Sequence, residues 1–135
     1  MVITYLWIAI GSALGGVSRF ACSRYIALWF GETFPWGTLI VNVSGCFVIG
    51  FFATLSGPDG RVLVPSDVRQ FVMVGFCGGY TTFSSFSLQT LDLIRNRDFA
   101  EAGGNVLLSV ALCLIAVILG SVAAAWLNGL KANGS

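Results

Sequence analysis

From Gly75 to Ser87 the chain reads Gly75-Phe76-Cys77-Gly78-Gly79-Tyr80-Thr81-Thr82-Phe83-Ser84-Ser85-Phe86-Ser87. Glycines are followed by a cluster of threonine and serine hydroxyls inside an otherwise apolar stretch. Such a run is poor helix, because an interior glycine costs about 1 kcal/mol relative to alanine and β-branched Thr81 and Thr82 add to the penalty. A break in the helix is expected there. At membrane depth, broken backbone persists only where the freed carbonyls and amides find a ligand or line a cavity. Freed carbonyls suit hard cations, whereas hydroxyl hydrogens and the positive edges of aromatic rings suit anions. Phe83 and Phe86 stand on one helical face, with Ser87 one turn beyond Phe83. Aromatics so spaced serve packing more often than a pore, and the residues alone leave both readings open.

Two more polar side chains fall inside apolar stretches, where they are costly and mark function. Asn42 lies one turn after Thr38 and just before Ser44. Its amide suits either donation to an anion or a bridge between two helices, the bridge being the commoner use. Arg19 carries a formal charge well inside the first stretch, and at the bilayer centre it would cost roughly 2.5 to 3.5 kcal/mol. It must face protein, water or an anion, or snorkel to the interface, since Arg24 follows soon after.

The groups that are missing narrow the chemistry further. The chain has no His, and no Asp or Glu sits centrally in an apolar stretch, which leaves no evident proton relay and favours passive flow over a pump. No serine or cysteine has a base beside it, so an enzyme is not expected. Cys22, Cys46, Cys77 and Cys113 fall one per apolar stretch without a C-x-x-C, and read as small buried hydrophobes rather than a zinc or redox site. A net charge of +1 without a basic stripe excludes nucleic acid as a partner.

These residues require elements that hold them in lipid. A hydrophobic content of 56% against 10% charged residues is unlike a soluble domain. A bilayer core about 30 Å thick takes a helix of roughly 20 apolar residues, and four stretches reach that length: 3–30, 36–55, 68–94 and 105–127. The fold class expected is an all-α membrane protein, one transmembrane domain over residues 1–130 with a short tail at 131–135. The first stretch is too long for a secretory signal and has no basic leader or cleavage site. Short polar links join the stretches, and Trp7, Trp29, Trp36 and Trp126 lie near their ends, as an interfacial belt requires. Gly11 with Gly15 and Gly75 with Gly79 form two G-x-x-x-G pairs that let helix backbones approach closely.

Four crossings put the N-terminus, the second link and the C-terminus on one side with Arg61, Arg69 and Lys131, and the other links on the opposite side with Arg24, Arg95 and Arg97. Lys and Arg normally accumulate on the cytoplasmic side, and here the tally cancels. Two readings follow: insertion in both orientations with antiparallel pairing about an axis in the membrane plane, or one orientation set by something other than charge.

Three segments of this chain resemble the Fluc (CrcB) family of fluoride channels: Gly11-Ser12-Ala13-Leu14-Gly15-Gly16-Val17-Ser18-Arg19, Gly37-Thr38-Leu39-Ile40-Val41-Asn42-Val43-Ser44-Gly45, and the Gly75 to Ser87 run. The third motif is specific, the first weak alone. The resemblance implies a dual-topology antiparallel homodimer in a bacterial inner membrane, passing fluoride through two pores around one structural sodium ion. It implies that Phe83 and Phe86 line the anion path with Asn42, that Thr38, Ser84, Ser87 and Ser109 form a polar track beside the rings, and that Arg19 stands at a vestibule. The carbonyls of Gly78 and Thr81 from both copies would hold the sodium. One departure is Gln89, where members of the family often carry Glu.

The chemistry agrees with that resemblance. Fluoride is small and strongly hydrated, so closely spaced uncharged donors must replace its water while binding weakly enough to release it. Rival readings are a small dual-topology drug exporter, which depends on an acidic residue that the first stretch lacks, and a non-conducting scaffold.

Overall fold

The computed structural model describes residues 1–132. Among them, the chain is helical throughout, without a strand: α1 (Val2–Phe30), α2 (Trp36–Leu55), α3 (Ser66–Gln70), a π-helical stretch (Phe71–Cys77), α4 (Gly78–Tyr80), α5 (Phe83–Arg95) and α6 (Phe99–Ala132). Three of these, α1, α2 and α6, are long and apolar enough to cross a membrane, with mean hydropathies of 1.3, 2.0 and 2.8. Large apolar side chains such as Leu28, Val17 and Leu107 point outward along them, a surface that only lipid or another protein can cover.

Helix ends are set by local chemistry. Gly31, in the left-handed region at φ 79°, ends α1 by donating its N–H to the Ala27 carbonyl at 2.8 Å. Arg69 of α3 stops α2 from a distance: its guanidinium donates to the Ser56 carbonyl at 2.8 Å and to Ser56 Oγ at 2.7 Å. A cation is thereby seated at the negative end of the helix dipole. Beyond α5, Arg97 takes a left-handed φ of 63°. Arg97 N–H bonds the Ile94 carbonyl at 3.0 Å and Asp98 N–H the Leu93 carbonyl at 2.9 Å, the two bonds of a Schellman turn. That turn launches α6 at Phe99, six residues before the apolar stretch expected from Asn105, with Glu101 favourably placed in its first turn. Hydropathy marks where a helix enters lipid, not where it begins. At its far end α6 reaches Ala132, into the stretch expected as tail; residues 133–135 lie outside the described residues.

Two tight pairings make the core, and both join helices that run the same way. In the first, α1 lies against the π-helical stretch and α4 at a constant offset of 64 residues: the Trp7 and Phe71 rings meet edge to face at 5.9 Å, Gly11 faces Gly75, and Gly15 faces Gly79. The two G-x-x-x-G pairs therefore grip each other. A Cβ on Gly79 would stand 2.5 Å from the Ser12 carbonyl oxygen, and one on Gly11 2.6 Å from that of Phe71. In the second, α2 lies along α6 at an offset of 67 residues, fixed by the 2.7 Å contact of Thr54 Oγ1 with Ser121 Oγ and the 2.7 Å bond from Arg61 N–H to Asn128 Oδ1. Gly50 meets the Val117 carbonyl and Gly120 that of Phe47. Val41 and Ala124 are fully buried in this core.

Candidate functional site

Residues 66–95, expected as a third membrane helix over 68–94, come in pieces, and helical backbone stops between Tyr80 and Phe83. Thr81 and Thr82 are extended, with φ/ψ of −79°/158° and −152°/117°. The glycines, which intrinsic propensity alone would put in the interruption, are helical instead. The absent side chains of Gly75 and Gly79 are used for close approach to α1, and the β-branched threonines leave the helix. Upstream, the wider turn of Phe71–Cys77 brings N–H groups onto carbonyls five residues back, as from Gly78 to Met73.

Asn42, buried on α2, meets the interruption directly. Its Oδ1 accepts the Thr82 N–H at 2.7 Å and its Nδ2 donates to the Thr82 carbonyl at 2.9 Å. The amide thus pairs both backbone groups of Thr82 as a neighbouring strand would. Thr82 in turn caps α5: its Oγ1 accepts the Ser85 N–H at 3.1 Å. Ser44 Oγ, 3.0 Å from the Tyr80 hydroxyl, and Gly45, against which the Thr81 methyl group rests, complete the fit of α2 to the break.

This bonding has a consequence for two carbonyls. In an uninterrupted helix the Gly78 carbonyl would accept the Thr82 N–H and the Thr81 carbonyl the Ser85 N–H. Both donors are diverted, the first to Asn42 and the second to Thr82 Oγ1. The Cys77 carbonyl, by contrast, receives both the Thr81 N–H at 3.0 Å and the Thr81 hydroxyl at 2.9 Å. Gly78 and Thr81 therefore present carbonyl oxygens without their usual helix donors, the hard uncharged ligands suited to a small cation. Gly78 is exposed on the single chain.

A cavity of about 360 Å³ lies beside the interruption, walled by Asn42, Thr82, Phe83, Phe86 and Ser109 and, deeper along α2 and α6, by Cys46 and Cys113. The rings of Phe83 and Phe86 are 5.4 Å apart and inclined at 51°. Phe86 is buried, at 8% exposure, whereas Phe83 is 78% exposed. Asn42 Nδ2 has two hydrogens and gives one to Thr82, leaving a second donor at the cavity wall. Ser109 is steadied by Asn105, whose Oδ1 accepts the Ser109 hydroxyl at 3.3 Å and whose Nδ2 donates to Thr90 Oγ1 at 2.9 Å. Thr90 is itself bonded to the Phe86 carbonyl at 2.8 Å. At 3.3 Å this bond is long for an O–H···O contact and holds the Ser109 hydroxyl only weakly. No carboxylate, lysine or arginine lines this cavity among the described residues.

A second, larger cavity of about 600 Å³ opens at the first link, with Thr38, Gln89, Arg24, Glu32, Asp92 and Asp98 in its wall. Thr38 is buried, one turn before Asn42 on α2. Gln89 Oε1 is shielded from solvent and has no hydrogen-bond partner among the described residues. With one Arg against three carboxylates in that wall, the mouth is not a basic funnel. Of the remaining residues singled out in the sequence, Ser84 contacts Thr82 Oγ1 at 3.3 Å and Ser87 donates to the Phe83 carbonyl at 2.9 Å; both are exposed and neither lines either cavity. Arg19 is half-buried on α1 and lines neither cavity. Sequence reasoning missed Thr82, Thr90 and the linking role of Asn105. Thr82 carried a usable signal, a threonine three residues before Ser85 at a helix start; Thr90 carried none.

These features define a multi-pass helical membrane protein whose buried polar groups gather around a gap in helical backbone. The chain belongs to the CrcB-like family: the family model described as CrcB-like protein, Camphor Resistance (CrcB), matches residues 6–121. It is 62% identical over 129 residues to a protein of Opitutus terrae named fluoride-specific ion channel FluC, covering 96% of this chain and 98% of that one. Proteins of the same name from Methylocella silvestris and Rhodospirillum rubrum are 57% and 59% identical, over 94% and 93% of this chain and 97% of each of theirs.

Proposed function

We propose that this protein is a channel, not an enzyme, that passes fluoride down its gradient across the bacterial inner membrane. The observation that carries the reading is the cavity at the break. Two phenylalanines, a spare amide hydrogen on Asn42 and the hydroxyl of Ser109 face one space without a formal charge. Fluoride binds through hydrogen bonds and ring edges there, and no fixed cation traps it. Thr38 and Gln89 receive it at the mouth, where the amide NH₂ of Gln89 supplies uncharged donors. Relatives at this level of identity bear the name fluoride-specific ion channel.

The working unit in this reading is an antiparallel homodimer of oppositely inserted chains. The pieces from Ser66 to Arg95 act as one interrupted crossing, giving four spans per chain. The balanced Arg and Lys tally supports insertion both ways, and the exposed Gly78 face supplies a site for contact between copies. The carbonyls of Gly78 and Thr81, released from their helix partners, fit a structural sodium ion shared by the two chains. When bound, that ion supplies positive charge that holds the carbonyls of both copies together.

Purified protein reconstituted into vesicles tests the reading. Fluoride should leave loaded vesicles without a proton gradient while chloride stays inside. Vesicles that release neither ion, or both at one rate, exclude it.

A further inference from the structure

Cys46 and Cys113 take no part in the hydrogen bonds around the break, yet both line the 360 Å³ cavity. They belong to the ladder that sets α2 against α6. At the offset of 67 residues, Thr54 contacts Ser121, Gly50 meets Val117 one turn earlier, Cys46 meets Cys113 one turn before that, and Asn42 and Ser109 share the cavity wall at the next turn. At that register the Cys46 and Cys113 side chains face the same cavity. Each thiol is free and half-buried, and the glycine contacts above them hold the two backbones at close approach. No third Cys, His, Asp or Glu completes a higher-coordinate site among the described residues.

We infer that Cys46 and Cys113 form a two-thiolate site, set in the cavity wall, for a soft cation that accepts linear coordination, such as Hg(II), Ag(I) or Cu(I). Thiolate sulfur selects soft metals over the hard cations suited to backbone carbonyls. Two facing thiols with no third ligand fit a two-coordinate ion and exclude tetrahedral zinc. For Hg(II) both S–H bonds break and two S–metal bonds form, and the two protons leave to solvent, so no oxidant is needed. The bound metal occupies space beside Phe83, Phe86 and Ser109 and obstructs an anion passing there. This last step rests on the cavity being the fluoride path; the binding itself does not.

Mercuric ion is the probe, with two readouts. In detergent, the ultraviolet thiolate-to-mercury absorbance should saturate at one ion per chain in Cys22→Ser and Cys77→Ala proteins, and the two-sulfur signal should vanish in Cys46→Ser and in Cys113→Ser. In vesicles, mercuric ion should slow fluoride efflux by about tenfold or more, and a small dithiol chelator should restore it. Each rate is compared with the same protein before metal. Cys46→Ser and Cys113→Ser should each need far more mercuric ion for the same slowing, since one remaining thiol holds the ion by a single sulfur bond where the parent protein holds it by two. A two-sulfur signal that survives in either serine variant overturns the site, as does one that never forms. Full efflux with the signal present overturns the obstruction. Vesicles that pass no fluoride before metal is added contradict the proposed function instead, and the absorbance still decides the site.

Discussion

Asn42 and Thr82, forty residues apart in the chain, are joined at two points: the amide oxygen takes the Thr82 N–H at 2.7 Å and the amide nitrogen gives to the Thr82 carbonyl at 2.9 Å. One side chain thus satisfies the backbone at a place where the helix ladder is interrupted.

Removing that side chain should be felt in stability before function. Asn42→Ala leaves two buried backbone groups unpaired, each costing about 1 to 3 kcal/mol. A clear fall in the melting temperature in detergent is expected, together with loss of fluoride efflux. Asn42→Asp keeps an acceptor for the Thr82 N–H, so it should melt higher than Asn42→Ala. It should still pass no fluoride, because it adds negative charge at the cavity wall. Equal melting of Asn42→Ala and the parent protein would remove the clamp from the account.

Phe83 and Phe86 should separate structure from conduction. Replacement by Ile removes the ring edge at either position and should stop efflux. Only Phe86 is buried, so Phe86→Ile should also cost up to about 1.5 kcal/mol of stability, while Phe83→Ile leaves the melting curve of the single chain's core unmoved. Thermal melts beside efflux traces read the two effects independently.

The glycine pairs give opposite signs for one chemical change. A Cβ on Gly79 would press on the Ser12 backbone, whereas one on Gly16 would meet nothing within 4 Å. Gly79→Ala should cost about 1 to 3 kcal/mol as α1 is forced away. Gly16→Ala should be neutral or stabilise by about 0.4 to 1 kcal/mol by restricting the unfolded chain. Paired melting curves measure the difference.

If Gly78 and Thr81 hold sodium between two copies, stability should follow sodium concentration. Replacing sodium by a large organic cation at constant ionic strength should lower the melting temperature and favour monomers. A tenfold rise in sodium above its dissociation constant should add about 1.4 kcal/mol. A melting temperature indifferent to sodium would leave those carbonyls without an ion.

The membrane helices were legible because burial in lipid demands long apolar runs, and α1 and α2 keep nearly the ends that hydropathy gives. The Phe83–Phe86 pairing follows from helical spacing alone. What escaped depends on partners distant in sequence. Propensity marks the Gly75–Ser87 run as poor helix without choosing a place within it; Gly79 is held helical by contact with Ser12, and the gap falls at Thr81 and Thr82, where Asn42 can serve them. The π-helical turn has no sequence signature, and the start of α6 depends on a left-handed arginine that no propensity favours.

The like-directed pairings, α1 with the π-helical stretch and α4, and α2 with α6, bear on how the chain matures. Each tight pair draws one helix from before the 57–65 link and one from after it, so the first two helices leave the translation machinery with their glycine faces bare. They must wait in the bilayer for mates made later, and fragments severed within that link should regain activity only when produced together.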